Sequence, residues 1–150
     1  MQIQEGRVSI EESVEIGKGG EVTLLADIFL PPKDETNRPS ILFVHGGGWL
    51  EGDRSQLRGY GILLARLGFV TMCNSYRLST EAYWPAQIQD VKCAVRYMRA
   101  NAEKLGIDPD RIGVSGNSAG GHLSLMAAAT SYDDSFEGDG GNNEVSSKIK

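Results

Sequence analysis

Two short stretches carry residue types that can do chemistry. Gly116-Asn117-Ser118-Ala119-Gly120 sets a serine between glycines, and His45-Gly46-Gly47-Gly48-Trp49 sets three glycines in a row. Glycines at a strand-to-helix junction suit either a phosphate cradle or a serine nucleophile. A P-loop needs two glycines five apart, then Lys and Ser or Thr. Gly116 and Gly121 have that spacing, but His122 and Leu123 follow, so the phosphate-reaching lysine is absent. The dinucleotide fingerprint needs glycine at its third position. That position is Ser118 counted from Gly116 and Ser115 counted from Gly113, so both registers fail.

The nucleophile pattern G-x-S-x-G fits at 116–120. It holds the serine in a strained backbone conformation at the tip of a sharp turn, with its hydroxyl clear of the sheet. Side chains two residues away on either side would collide there, hence Gly116 and Gly120. The helix that follows aims its N-terminal amides at developing negative charge. Ser115 is a decoy, since Asn117 stands where its second glycine should be. With 19 glycines in 150 residues, this pattern alone also fits a plain packing turn. The second stretch shifts the balance, because His-Gly-Gly-Gly by chance is much rarer. Three glycines after a buried strand leave backbone N–H groups bare for close approach. A tetrahedral acyl-transfer intermediate needs such donors, each worth ~3–4 kcal/mol in the transition state. The residue after the nucleophile, Ala119, supplies another. The competing reading of the glycine run is a flexible loop without chemistry.

These stretches need elements to hold them. Residues 7–16 and 21–30 alternate loosely around Gly17–Gly20 and read as an antiparallel strand pair. ILFV at 41–44 and FVTMC at 69–73 read as strands buried on both faces. A helix is predicted over 56–67. A second is predicted over 86–105, where Ile88, Val91, Val95, Met98, Ala102 and Leu105 make one stripe. DPDR makes a turn, 111–115 a strand and 119–130 a helix. Strand and helix alternating from ILFV onward predict an α/β fold: a mostly parallel sheet with crossover helices and an antiparallel N-terminal pair. Residues 131–150 are polar and glycine-rich, and read as a loop of poor order.

Composition excludes several classes. The net charge is −5 and no basic run occurs, so nucleic acid is not an expected partner. No apolar run reaches the ~18 residues of a membrane span. The polar, acidic N-terminus is no secretory signal; a cytoplasmic protein fits, as does a secreted one whose signal has been removed. Cys73 and Cys93 read as small buried apolar residues. Trp49, Tyr76 and Trp84 have two readings: lining a pocket or stacking on a sugar ring, and packing in core or loop.

HGGGW, YRLS at 76–79 and the run WPAQIQDVKCAVRYMRANAEKLGIDPDRIGVSGNSAGG together resemble the α/β-hydrolase superfamily. Within it the chain resembles the esterase/lipase group related to hormone-sensitive lipase, especially its acetylxylan- and feruloyl-esterase-like branch. The likeness spans about residues 20 to 150. It implies Ser118 as nucleophile, Gly47, Gly48 and Ala119 as oxyanion donors, and His45 as a shaper of the glycine loop. It implies no metal or organic cofactor, and a short-chain acyl ester as substrate, including acetyl on carbohydrate. Lipase-like members usually carry Asp at the place of Asn117 and YRLAPE at the place of YRLSTE, which inclines the resemblance toward the carbohydrate branch.

A serine needs a base and an acid, and in this fold both follow it in the chain. Only His45 and His122 are present. His45 precedes the serine, and His122 is carried away on the serine's own helix. Asp133, Asp134 and Asp139 lie in the polar segment and not at a strand end. The expectation is the N-terminal part of one hydrolase domain, ending before its last strands and inactive by itself. The exposed edge of its last strand and one face of helix 119–130 would then show apolar surface. Two alternatives stay open: a non-catalytic ligand- or partner-binding relative, and an amidase or peptidase on the same fold.

Overall fold

Leu42, Phe43 and Val44 are apolar, largely branched or aromatic, and buried together. They belong to β3 (Arg38–Val44). Its neighbour β4 (Val70–Asn74) is buried at every residue, as a strand covered on both faces must be. A computed structural model describes residues 2–150. Its five-stranded sheet has the order β1-β2-β4-β3-β5. β1 (Ser9–Gly19) and β2 (Val22–Leu30) form the expected antiparallel pair. β2 also runs antiparallel to β4, while β4, β3 and β5 (Ile107–Gly116) run parallel. β5 starts earlier than the 111–115 predicted, but the DPDR turn survives inside it. Ile107 pairs with Arg38 and Ile112 with Ser40, so residues 108–111 loop out of the ladder.

The two crossovers run in opposite directions about β3. α1 (Arg58–Arg66) leads to β4 on one side of β3, and α2 (Ala86–Ala100) leads to β5 on the other. Right-handed crossovers then place the two helices on opposite faces. Accordingly Ala65 packs with Phe29, Phe43, Leu57 and Cys73 in one cluster. Ile88, Val91, Val95 and Met98 of α2, with Leu123 and Ala127 of α4 (Ala119–Ala129), pack in the other. The reversal at β3 is a topological switch point, where open α/β sheets bind ligands beyond the strands' carboxyl ends.

Two helix boundaries differ from the sequence reading. Residues 54–57 form a 3-10 turn capped by Asp53, whose carboxylate accepts from the Ser55 N–H at 2.7 Å. The helix predicted over 86–105 breaks at Asn101 into α2 and the single-turn α3 (Ala102–Leu105). Asn101 turns its amide back to donate to the Tyr97 carbonyl at 2.9 Å. This local competition disfavours Asn inside helices. The stripe continues through the break, since Ala102 and Leu105 remain buried. Residues 131–150 hold a 3-10 turn (Asp134–Phe136) and otherwise no helix or strand. Among the described residues no helix is long and apolar enough to cross a membrane.

Candidate active site

The parallel registers set the site. Val44 pairs with Asn74 on one side and with Gly116 on the other. The segments after β3, β4 and β5 therefore start side by side at the carboxyl edge of the sheet. They carry His45–Trp49, Ser75–Ser79 and Asn117–Ser118.

Ser118 stands at the start of α4 with φ 51° and ψ −120°, a conformation that non-glycine residues rarely adopt. Its side chain makes no capping bond, and its carbonyl accepts from the His122 N–H at 3.0 Å. The flanking glycines are sterically required. A Cβ on Gly116 would lie 2.6 Å from the Gly120 carbonyl carbon, and one on Gly120 would run into the Val44 and His45 carbonyls. The elbow thus presses directly on the backbone that leads into the glycine loop.

That loop is turned by three successive positive φ values: Gly47 (119°), Gly48 (59°) and Trp49 (62°). The Gly47 carbonyl accepts from the N–H groups of Leu50 (3.0 Å) and Glu51 (3.2 Å), closing the turn. The Gly46 N–H is shared by Gln56 Oε1 at 2.8 Å and Asn117 Oδ1 at 3.1 Å. Asn117 thereby ties the elbow to the loop. Among the described residues the N–H groups of Gly47, Gly48 and Ala119 donate to no protein acceptor.

His45 lies beneath this loop, fully buried. Its ring stacks on Tyr76 at 4.2 Å and 7°. Nδ1 donates to the Gly46 carbonyl at 2.7 Å, which leaves Nε2 as a bare, buried acceptor. Burial holds the imidazole below its usual range and outweighs the Gly46 bond, so the ring is neutral. Tyr76 is itself buried and its hydroxyl donates to the His45 carbonyl at 3.1 Å. It is a floor to the loop, with no open face for a sugar. Trp49 and Trp84 differ, being 37% and 48% exposed. His122, itself exposed, neighbours both, edge-on to Trp49 at 5.4 Å and tilted to Trp84 at 6.2 Å. It rides on α4, the helix that starts at Ser118. Asp133 is spent as a cap, taking the Ser135 N–H and hydroxyl at 3.0 and 2.6 Å. Both thiols are buried; burial pushes Cys73 up to about 12 and raises Cys93 as well. The supports that the sequence reading missed are Gln56, Tyr76 as a floor, and the long-range bonds of the 76–79 segment. Only the recurrence of Tyr-Arg-Leu in the resemblance pointed toward the last.

Residues 26–150 match the BD-FAE family model. The chain belongs to the BD-FAE family of α/β-hydrolase esterases. This BD-FAE chain is 41% identical over 109 residues to Esterase LipC of Mycobacterium tuberculosis, covering 70% of this chain and 27% of that protein. It is 40% identical over 108 residues to arylacetamide deacetylase of Oryctolagus cuniculus, with 67% and 27% covered. Among solved structures, a truncated carbohydrate esterase from gut microbiota superposes with a TM-score of 0.79 at 34% identity. The match covers 94% of this chain and 54% of that one. Native esterase 2 of Thermogutta terrifontis superposes with a TM-score of 0.78 at 30% identity, covering 95% and 50%. This BD-FAE chain therefore spans about a quarter of the length of those two curated relatives and about half of the solved ones.

Proposed function

We propose that this chain supplies the nucleophile and the oxyanion donors of a serine carboxylic-ester hydrolase. The carrying observation is the strained Ser118 at the head of α4, tied through Asn117 to a loop whose Gly47 and Gly48 N–H groups are unengaged. In this reading Ser118 Oγ attacks the ester carbonyl and gives its proton to a histidine base. The carbonyl oxygen becomes an oxyanion held by the N–H groups of Gly47, Gly48 and Ala119. Collapse breaks the bond to the alcohol, which leaves with the histidine's proton, and water then releases the acyl group from Ser118. In this reading the histidine and its acid partner lie outside these 150 residues, because His45 is locked under the loop and His122 rides on the serine's own helix, one turn past Ser118.

The substrate of this reading is a short-chain acyl ester, including acetyl on carbohydrate. Trp49 and Trp84 support it, as exposed rings that neighbour His122 one turn past Ser118, and so does the likeness to a carbohydrate esterase. The test uses the full-length protein that carries this sequence. Wild type should hydrolyse p-nitrophenyl acetate and label with a fluorophosphonate, and Ser118→Ala should lose both. Turnover that survives Ser118→Ala overturns the assignment. Absence of both turnover and labelling in wild type favours a non-catalytic binding protein. The 40% identity to an arylacetamide deacetylase supports a second reading, an amide substrate, which p-nitroacetanilide hydrolysis would reveal.

A further inference from the structure

The segment after β4 touches the glycine loop at both of its ends. At one end the Tyr76 hydroxyl donates to the His45 carbonyl at 3.1 Å, with the two rings stacked. At the other the Ser79 N–H donates to the Trp49 carbonyl at 2.7 Å. Tyr76–Ser79 thus spans His45–Trp49 like a clasp. What holds the clasp is Arg77. Its backbone N–H donates to Asp90 Oδ2 at 2.8 Å, and its Nη2 and Nε reach the same carboxylate at 2.7 and 2.9 Å. Nη2 also meets the Ala86 carbonyl at 3.4 Å. Gly19 leaves room for the guanidinium, since a Cβ there would overlap it. Asp90 is buried on α2, the longest helix among the described residues, and its carboxylate is taken up by Arg77.

We propose that Asp90 is a positioning residue for the oxyanion hole. By gripping Arg77 through its side chain and its backbone together, it sets the height and direction of Tyr76–Ser79. That segment in turn fixes both ends of the loop that presents Gly47 and Gly48. The inference rests on reading those N–H groups as oxyanion donors. A bidentate guanidinium–carboxylate pair with an added backbone bond has one good geometry, which is why it suits such an anchor. Oxyanion donors act only when aimed at the transition-state oxygen, so a small tilt of the loop costs rate and leaves ground-state binding alone.

The test is kinetic, in the full-length protein, with Asp90→Asn and with Arg77→Lys, which keeps the charge and loses the fork. Both should lower kcat on p-nitrophenyl acetate by about 10-fold or more with KM held within about twofold. Both should weaken a trifluoromethyl ketone, which forms an oxyanion on the serine, by a similar factor. A folded variant with wild-type kcat and wild-type ketone affinity, altered only in melting temperature, overturns the proposal. If Asp90→Asn fails to fold, Arg77→Lys decides; if both fail, the pair serves the fold and not the loop, which also overturns it. The control is Ser118→Ala. Loss of turnover there alongside a wild-type Asp90→Asn sinks the clasp alone, while turnover retained in Ser118→Ala sinks the site reading.

Discussion

Ser118 stores strain at φ 51° and ψ −120°, of order 1–3 kcal/mol for a residue with a Cβ. Glycine carries no such penalty there, although it ordinarily costs ~0.5–1 kcal/mol of chain entropy. Ser118→Gly should therefore be about 1 kcal/mol more stable than Ser118→Ala in urea denaturation. The reverse order would mean that the elbow is relaxed. His45 makes a second residue-level prediction. Burial lowers its pKa from 6.5, so the folded ring stays neutral while the unfolded ring takes up a proton. Between the lowered value and 6.5 the unfolded state binds more protons, and stability rises with pH across that window. Going from about pH 7 to about pH 5.5 should lower the melting temperature, and less so in His45→Phe, which keeps a ring against Tyr76 but cannot titrate. A wild-type profile that is flat over this range would contradict the buried neutral imidazole.

At the scale of elements, α2 does more than pack. Lys92 and Arg96 are 0% and 1% exposed, one turn apart on the helix. Lys92 Nζ donates to the Thr130 carbonyl at 2.6 Å and to Glu137 Oε1 at 2.9 Å. Arg96 Nη1 donates to Glu137 Oε2 at 2.6 Å, and its Nε to the Gly141 carbonyl at 2.9 Å. The Ser147 hydroxyl also donates to Glu137, at 2.5 Å. One carboxylate thus fastens residues 130–147 to α2. Burial pulls the Glu137 carboxyl up, but the bonds from Ser147, Lys92 and Arg96 outweigh it and hold it below the usual range. Glu137→Ala would leave two buried cations without a counter-charge. With Glu137 26% exposed, the expected loss is about 2–3 kcal/mol, below the 3–5 of a fully buried pair. Urea denaturation measures it; a loss under about 0.5 kcal/mol would mean that solvent already screens the cluster. The sequence made α2 legible through its apolar stripe, which repeats locally. Lys92 and Arg96 fall between stripe positions, and no local pattern marks their burial, since their partner lies 45 and 41 residues away. The elbow and glycine loop were legible for the same local reason, because glycine spacing encodes the turn itself. The clasp was not, because Asp90–Arg77 and Ser79–Trp49 join separate elements and leave no periodic trace.

For the whole molecule, sheet order decides what is open. β5 is an edge strand in the order β1-β2-β4-β3-β5, where the Lys150 N–H donates to the Ile112 carbonyl at 3.1 Å. Beside that edge lies a hollow of about 220 Å³ lined by Phe43, Leu57, Tyr60 and the elbow residues 115–117. Leu125 on α4 is exposed as well. An unpaired strand edge next to apolar surface favours association. The 150 residues alone should therefore self-associate in sedimentation at micromolar concentration. The same openness bears on catalysis. His45 is engaged by the fold through Gly46 and Tyr76, while His122 is exposed on the serine's own helix with Trp49 and Trp84 as ring neighbours. A serine without a base beside it is a weak nucleophile, and the proposed reaction takes its base from neither histidine. Oxyanion donors by themselves still give a residual rate above water, so the comparison must be with Ser118→Ala in the same chain. The isolated 150 residues should hydrolyse p-nitrophenyl acetate no faster than that variant and should label with a fluorophosphonate at least about 100-fold more slowly than the full-length protein. Labelling at the full-length rate would mean that His122 acts as the base, and His122→Ala would then abolish it.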